Sequence, residues 1–302
     1  MTEKSASISR RLFLELAALA VAAPAVAGCA SQPPSTLRRN NLRNPSRRPR
    51  RVLAEAPSTV VSPPTGRSPL LFGEHVAGLY PGDKLAPWIN LTFDDGPRPD
   101  WTPRVLKLLA EYGVTATFFV VGRLAKEYPS IIKQIVDEGH ILGNHTYSHA
   151  NIAVLSPKQI NDEFDRTQDA IDDALGDHYP LRLIRPPYGS PWFGDWKPED
   201  RQKVSEVIAQ RDAFCILWHI GTADTQPHCT TNSVVTGLSR AIMKGRGGSL
   251  IFHPSKCAKQ SVRSVLRMLQ REEVATATPY HLLEAKYDCE WSKIASLPTR
   301  LG

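Results

Sequence analysis

From residue 88 onward the chain alternates short apolar runs with amphipathic stretches, and this restricts its fold more than any other feature of the sequence. Residues 88–93, 116–121, 141–144, 181–185, 214–220 and 249–253 read as strands. Residues 103–112, 125–138, 158–175, a segment near 199–210, 233–244 and 261–271 read as helices. Val105, Leu108 and Leu109 recur at helical spacing in the first, and Ile160, Phe164 and Ile171 in the third. Such repetition predicts an α/β fold with a mostly parallel sheet covered by helices. Asp94-Asp95, His145, Arg185, Asp224 and His253 all fall at strand ends. In α/β folds, and in β/α barrels especially, that end of the sheet is where sites are built.

Charge separates this body from what precedes it. Of 302 residues, 37 are Lys or Arg and 30 are Asp or Glu. Residues 29–70 hold eight arginines against Glu55 alone, while residues 71–302 carry a net charge of only −1. A nucleic-acid-binding body spreads positive charge over a folded face, so no nucleic-acid partner is expected. With 41% hydrophobic residues, collagen-like, coiled-coil, multi-span membrane and wholly disordered chains are excluded as well.

Ser9-Arg10-Arg11-Leu12-Phe13-Leu14 resembles a twin-arginine export signal, and the apolar run after it is interrupted by Glu15 and Pro24, which suits a signal better than a spanning helix. Val26-Ala27-Gly28-Cys29 resembles a bacterial lipoprotein cleavage site, so residues 1–28 are expected to be removed and Cys29 to be acylated. That predicts an exported, membrane-anchored protein facing the periplasm or the cell exterior. Residues 29–70, rich in proline and arginine, form a disordered tether in this reading, a solvated spacer or a basic strip attracted to anionic head groups. Residues 71–302 suffice for one sizeable domain, expected to be a monomer.

Four segments carry the chemistry. Asp94-Asp95-Gly96-Pro97 places two carboxylates on a sharp turn, where one can hold a metal and the other take a proton. His145 and His149 are four residues apart, a spacing that brings two imidazoles to one face of a helical turn. Thr146 follows His145, so the glutamate base of a His-Glu-x-x-His metalloprotease is absent. Two His and one Asp with open positions make a plausible divalent-metal site. Arg185-Pro186-Pro187-Tyr188-Gly189 offers a guanidinium that can hold a carboxylate, and a stiffened backbone that fixes the Tyr188 amide. Leu250-Ile251-Phe252-His253 is a buried strand presenting a histidine.

In order and content these segments resemble the NodB-homology polysaccharide deacetylases, the fourth carbohydrate esterase family. The resemblance runs from about Trp88 to His253. It implies a distorted (β/α)7-type barrel, a single catalytic domain, and metal-dependent removal of N-acetyl groups from a GlcNAc-containing polysaccharide, the alternatives being an O-acetyl, xylan-type esterase on the same site or a catalytically silent polysaccharide-binding envelope lipoprotein. By the family's pattern Asp94 is the general base, and Asp95, His145 and His149 hold one divalent ion, zinc in the first instance, with cobalt or nickel as alternatives. Arg185 orients Asp94, the Tyr188 amide faces the oxyanion, and His253 is the general acid. Ile251 lines the pocket for the acetyl methyl, and Pro187 and Tyr188 join it in binding substrate.

The fourth motif departs from the family. Its usual Asp-x-x-Asp-Trp is replaced by Gly221-Thr222-Ala223-Asp224-Thr225, leaving Asp224 to tether His253 and Arg185, while His219 is expected to reshape the sugar pocket. Of the remaining cysteines, Cys229 and Cys257 each follow a strand-end motif and are expected to pair near the rim of the site in an oxidising compartment, whereas Cys215 sits mid-strand as a small apolar residue.

Overall fold

The strand Ile89–Gly96 sits in the middle of the sheet and shows how the barrel is built. Ile89, Leu91 and Phe93 point into one apolar cluster beneath the helices. Asn90 and Thr92 point the other way, where Asn90 meets Ser249 and Thr117, and Thr92 donates to the Leu250 carbonyl. The two-residue period therefore separates an apolar outer face from a polar, internally satisfied inner one. The computed structural model describes residues 71–72 and 75–288. The expected leader, Cys29 and the whole of the tether over 29–70 lie outside them.

The described residues open with an antiparallel pair, β1 (Leu71–Phe72) and β2 (His75–Val76), followed by β3 (Gly78–Leu79) and β4 (Ile89–Gly96). Helix α1 (Thr102–Tyr112) leads to β5 (Thr117–Val120), and α2 (Gly122–Glu127) and α3 (Pro129–Asp137) lead to β6 (Ile141–Asn144). Then come α4 (Pro157–Leu175), β7 (Leu183–Ile184), α5 (Pro198–Ala209), β8 (Phe214–Ile216) and β9 (Ile220–Gly221). The last elements are α6 (Thr231–Met243), β10 (Gly248–Phe252), α7 (Lys256–Arg271) and α8 (Pro279–Tyr287).

Eight strands form one sheet in the order β3-β8-β7-β6-β5-β4-β10-β9, and all its pairings are parallel. The segment Phe214–Gly221 first pairs with β7 through β8, then with β10 through β9. It thereby closes a distorted barrel, with β3 filling the wedge beside β8. The alternation in the sequence located this core correctly.

Two elements differ from expectation. The helix expected over 125–138 is two helices, because Pro129 lacks an N–H and disfavours helical backbone before it; Tyr128 lies at φ −126°, ψ 58°. The strand expected over 214–220 breaks after Ile216, where the chain changes neighbours. The pieces before residue 88 and helix α8 were not anticipated; β1–β3 are two residues each, too short to show a period.

Candidate active site

Because every strand of the large sheet runs the same way, the residues singled out at strand ends share one end of the barrel. The register β10–β4 pairs Ile251 with Thr92 and Phe252 with Phe93, which brings His253 beside Asp94. Leu250 and Phe252 belong to the outer apolar cluster, so Ile251 between them faces inward, next to Thr92.

Asp94 is 2% exposed, and its Oδ1 accepts from Arg185 Nη1 at 2.7 Å. Arg185 is fully buried. The same Nη1 donates to Thr92 Oγ1 at 2.7 Å, its Nε donates to the Ile216 carbonyl at 2.8 Å, and its guanidinium lies 4.0 Å from the centre of the Phe119 ring. Burial pushes the guanidinium pKa down, opposed by the Asp94 carboxylate. Asp94 therefore has one oxygen committed to a fixed cation and the other, Oδ2, turned toward His145 Nε2 at 3.8 Å.

After Phe93 the β4–β5 register slips, and Asp95 takes left-handed backbone at φ 62°. The slip breaks the simple alternation and lets the adjacent carboxylates aim at different partners. Asp95 Oδ1 lies 3.4 Å from His145 Nε2 and 3.0 Å from His149 Nε2. His145 and His149 come not from a helical turn but from the loop after β6, in which Thr146 and His149 both have φ 65°. The helical turn expected from their spacing is thus corrected. The loop is held by Asn144 Oδ1, which accepts from Thr146 N–H, and by Glu163, which accepts from the Ser148 amide and hydroxyl. The N-terminus of α2 also donates to it, from Gly122 to Thr146 O and from Arg123 to Tyr147 O. Gly122 permits this close approach, since a Cβ there would lie 2.8 Å from the Tyr147 ring.

The tautomer of His145 decides what this trio can bind. Its Nδ1 is 2.6 Å from the Arg185 carbonyl. A carbonyl only accepts, so Nδ1 carries the proton and Nε2 presents a lone pair. That lone pair faces Asp95 Oδ1, a buried acceptor with no hydrogen-bond donor. Lone pairs converging in this way suit a cation. One nitrogen from each imidazole and one carboxylate oxygen lie within 4.8 Å of one another, a donor set that fits a divalent ion with coordination positions to spare.

Across from this trio, Asp224 grips the segment after β10 with both oxygens. Its Oδ1 lies 2.9 Å from His253 Nδ1, and its Oδ2 accepts from the His253 amide at 2.8 Å and the Ser255 hydroxyl at 3.0 Å. Burial lowers the His253 pKa, yet its bond to Asp224 and the nearby carboxylates Asp94 and Asp95 raise it above the ordinary value. Asp224 shifts the other way: burial raises it and the bonds from His253 and Thr222 lower it. The expected second tether from Asp224 to Arg185 is not made; Arg185 donates to Asp94, Thr92 and Ile216 instead. A disulfide joins Cys229 to Cys257, linking the chain that follows Asp224 to the start of α7 just after His253. Cys215 is free and buried.

Pro187, Tyr188 and Gly189 form a short turn, with Tyr188 at φ 61°. The bonds closing it run from the Gly189 amide to Pro186 O and from the Ser190 amide to Pro187 O, leaving the Tyr188 amide uncommitted to either. The exposed Tyr188 ring stands edge-on to His149, centroids 5.0 Å apart. Asp95, Thr146, His149, Tyr188 and Ala223, with φ of 52–65°, are all non-glycine residues in left-handed backbone around this one site. Such conformations persist where the surroundings dictate them.

His219 is not in the pocket. Its backbone N–H donates to Ser249 O, its Nδ1 accepts from Ser249 N–H, and its ring packs on Gly248 at the start of β10. That is the opposite end of the barrel.

The match to known proteins agrees with this arrangement. A family model described as polysaccharide deacetylase matches residues 82–204. A chitooligosaccharide deacetylase of Sinorhizobium fredii is 42% identical over 204 residues, spanning 67% of this chain and 87% of that enzyme. The chain belongs to the polysaccharide deacetylase family. A peptidoglycan-N-acetylglucosamine deacetylase of Bacillus cereus is 34% identical over 168 residues, 56% of this chain and 58% of that enzyme's length. Among solved structures, a family 4 carbohydrate esterase pseudoenzyme from Bacillus anthracis superposes with a TM-score of 0.59 at 26% identity, covering 68% of this chain and 69% of that one. The polysaccharide deacetylase fold alone therefore does not decide turnover; the side chains do.

Three supporting side chains went unnoticed in the sequence. Thr92 accepts from Arg185 and donates to Leu250 O. Thr222 Oγ1 lies within 2.9 Å of Asp224 Oδ1 and 2.7 Å of Ile251 O. Ser255 caps α7 by accepting from the Ala258 amide while donating to Asp224. The Ser-x-x-Ala cap signal at the head of an amphipathic stretch was available for the last of these.

Proposed function

We propose that this chain hydrolyses N-acetyl groups on a GlcNAc-containing polysaccharide, such as chitooligosaccharide or peptidoglycan. The observation that carries the proposal is a base and an acid held apart on either side of a cation-ready trio: Asp94 fixed by Arg185, and His253 fixed by Asp224. A binding-only site has no use for both.

A divalent ion held by Asp95, His145 and His149, with zinc proposed over cobalt or nickel, supplies a Lewis acid that polarises the acetyl carbonyl and acidifies a water. Asp94 takes the water's proton on the oxygen that Arg185 leaves free, and the water oxygen bonds to the carbonyl carbon. The Tyr188 amide donates to the oxygen on which charge develops. His253 passes its proton to the sugar nitrogen as the C–N bond breaks, releasing acetate and leaving the amine on the sugar. Ile251 and Pro187 wall the acetyl methyl. With a proton gained at Asp94 and one lost from His253, the site resets by exchange with solvent.

The purified protein should release acetate from GlcNAc pentamer or peptidoglycan, lose this activity on chelation, and recover it with zinc. Acetate from acetylxylan alone would make the protein an O-acetyl esterase, and none from any of the three would defeat the proposal.

Export and anchoring belong to the same reading, resting on residues 9–14 and the Cys29 sequence. Acyl chains on Cys29 together with the basic tether supply the two signals that stable anchoring needs. Cys29→Ser is expected to move the protein from the membrane to the soluble fraction of a bacterial host. A variant still in the membrane fraction after a high-salt wash, which screens charge-driven binding, would remove Cys29 as the anchor.

A further inference from the structure

The near-zero charge of the body conceals a strong asymmetry. Helices α1, α6 and α7 carry eight basic side chains and one acidic, Glu111. Helices α4 and α5 carry nine acidic and four basic. The basic three are neighbours: Lys259 pairs with Asp100 just before α1, Arg263 pairs with Glu111 on α1, and the disulfide ties the approach to α6 onto α7. The acidic pair covers the β6–β8 side of the barrel.

One end of the basic face is distinctive. Helix α6 descends from β9 to the start of β10, and α7 descends from the end of β10, so both finish at the end of the barrel opposite Asp94 and His253. There Arg240, Lys244, Arg246 and Arg267 are exposed and make no ion pair among the described residues, while Arg271 pairs with the adjacent Glu272. Met243 stands among them, 80% exposed. Among the described residues it shares the class of large exposed apolar side chains with Tyr188, which belongs to the site, and Val154, which lies beside α5 on the acidic side. An exposed apolar side chain with unpaired cations three residues before it and one and three residues after it matches the chemistry of an anionic bilayer: head-group phosphates for the cations, and the acyl boundary for the thioether. A dissolved polyanion would use the cations but leave Met243 in water.

We propose that Arg240, Met243, Lys244 and Arg246, with Arg267, form a docking face for an anionic lipid surface. The site then opens away from the bilayer, toward polymer beyond it. This goes further than the lipid anchor, since it fixes the orientation of the domain and not merely its proximity.

The test uses the full chain carrying Cys29→Ser, cosedimented with vesicles of equal phosphatidylglycerol and phosphatidylcholine. Binding relative to phosphatidylcholine vesicles is the quantity read, because leader and tether are common to all variants. R240Q/K244Q/R246Q should lower it on the order of 100-fold, at about fivefold per charge near an anionic surface. The charge-matched K126Q/K133Q/K158Q, away from this face, should bind like the parent. Met243→Ser should weaken binding several-fold at high salt, where surface electrostatics are screened. Parental binding by the first triple variant, or equal losses in both triples, overturns the proposal. So does parental binding by Met243→Ser, which would leave a soluble polyanion as the occupant. Acetate release from soluble GlcNAc pentamer by the same variants reports the catalytic reading separately.

Discussion

Asp94→Asn is expected to retain metal while losing turnover by about three orders of magnitude, within the 10²–10⁴-fold that a positioned general base contributes. The metal should stay because Asp94 is outside the trio of ligand atoms; its free oxygen is 3.8 Å from His145 Nε2, whereas Asp95 Oδ1 approaches both imidazoles more closely. The same substitution should be felt in stability. Arg185 is fully buried and its charge is balanced by Asp94. An uncompensated buried charge costs about 3–5 kcal/mol, and the amide oxygen of Asn, which still accepts a hydrogen bond, should limit the loss to the lower part of that range. Zinc content, denaturant unfolding and acetate release measured on one preparation separate these effects. Wild-type turnover would remove Asp94 as the base, and loss of zinc would make it a ligand.

Strand ends are legible in the sequence because short apolar runs stop abruptly at Asp94, Asn144, Arg185 and His253, and parallel strands must put those ends together. The residues alone offer a guanidinium at Arg185 that can hold a carboxylate; that the carboxylate is Asp94 follows from the family resemblance, and the structure makes that bond. Backbone shape was not legible. His145 and His149 were assigned to a helical turn on spacing alone, yet left-handed Thr146 and His149 bring the two rings together from a loop. No local propensity announces such a conformation in Thr or His; neighbouring contacts impose it, here from Asn144, Glu163 and α2. His219 failed for a related reason. Its nearness in sequence to Asp224 suggested the pocket, but the short strand β9 between them carries the chain along the barrel wall. The disulfide was anticipated because Cys229 and Cys257 follow two segments that had to meet.

The largest effect beyond the base should come from Asp224, although it touches neither the trio nor Asp94. In the proposed mechanism His253 is the general acid and must be protonated when the amine leaves, so turnover should fall as pH rises through its pKa. Burial by itself would lower that pKa and disarm the acid at neutral pH; the bond to Asp224 reverses the sign and keeps His253 charged to higher pH. Asp224→Asn removes the negative charge, so the pKa should fall and the alkaline limb of the kcat–pH profile should move to lower pH by about a unit or more. It also places an amide NH₂ or a lone neutral oxygen where Oδ2 now accepts from the His253 amide and Ser255. With the NH₂ at that position both donors lose their acceptor and the α7 cap loosens; with the oxygen there, the loss falls instead on the bond to His253 Nδ1. At neutral pH kcat should drop by about 10²-fold, with KM and zinc content little changed, because Asp95, His145 and His149 keep their positions. Asp224→Glu, which restores charge without the geometry, should recover the alkaline limb and only part of the rate. If Asp224→Asn left the limb in place and lowered the rate uniformly at every pH, Asp224 would be a scaffold for α7, and the proton donated to the leaving amine would have to come from another group.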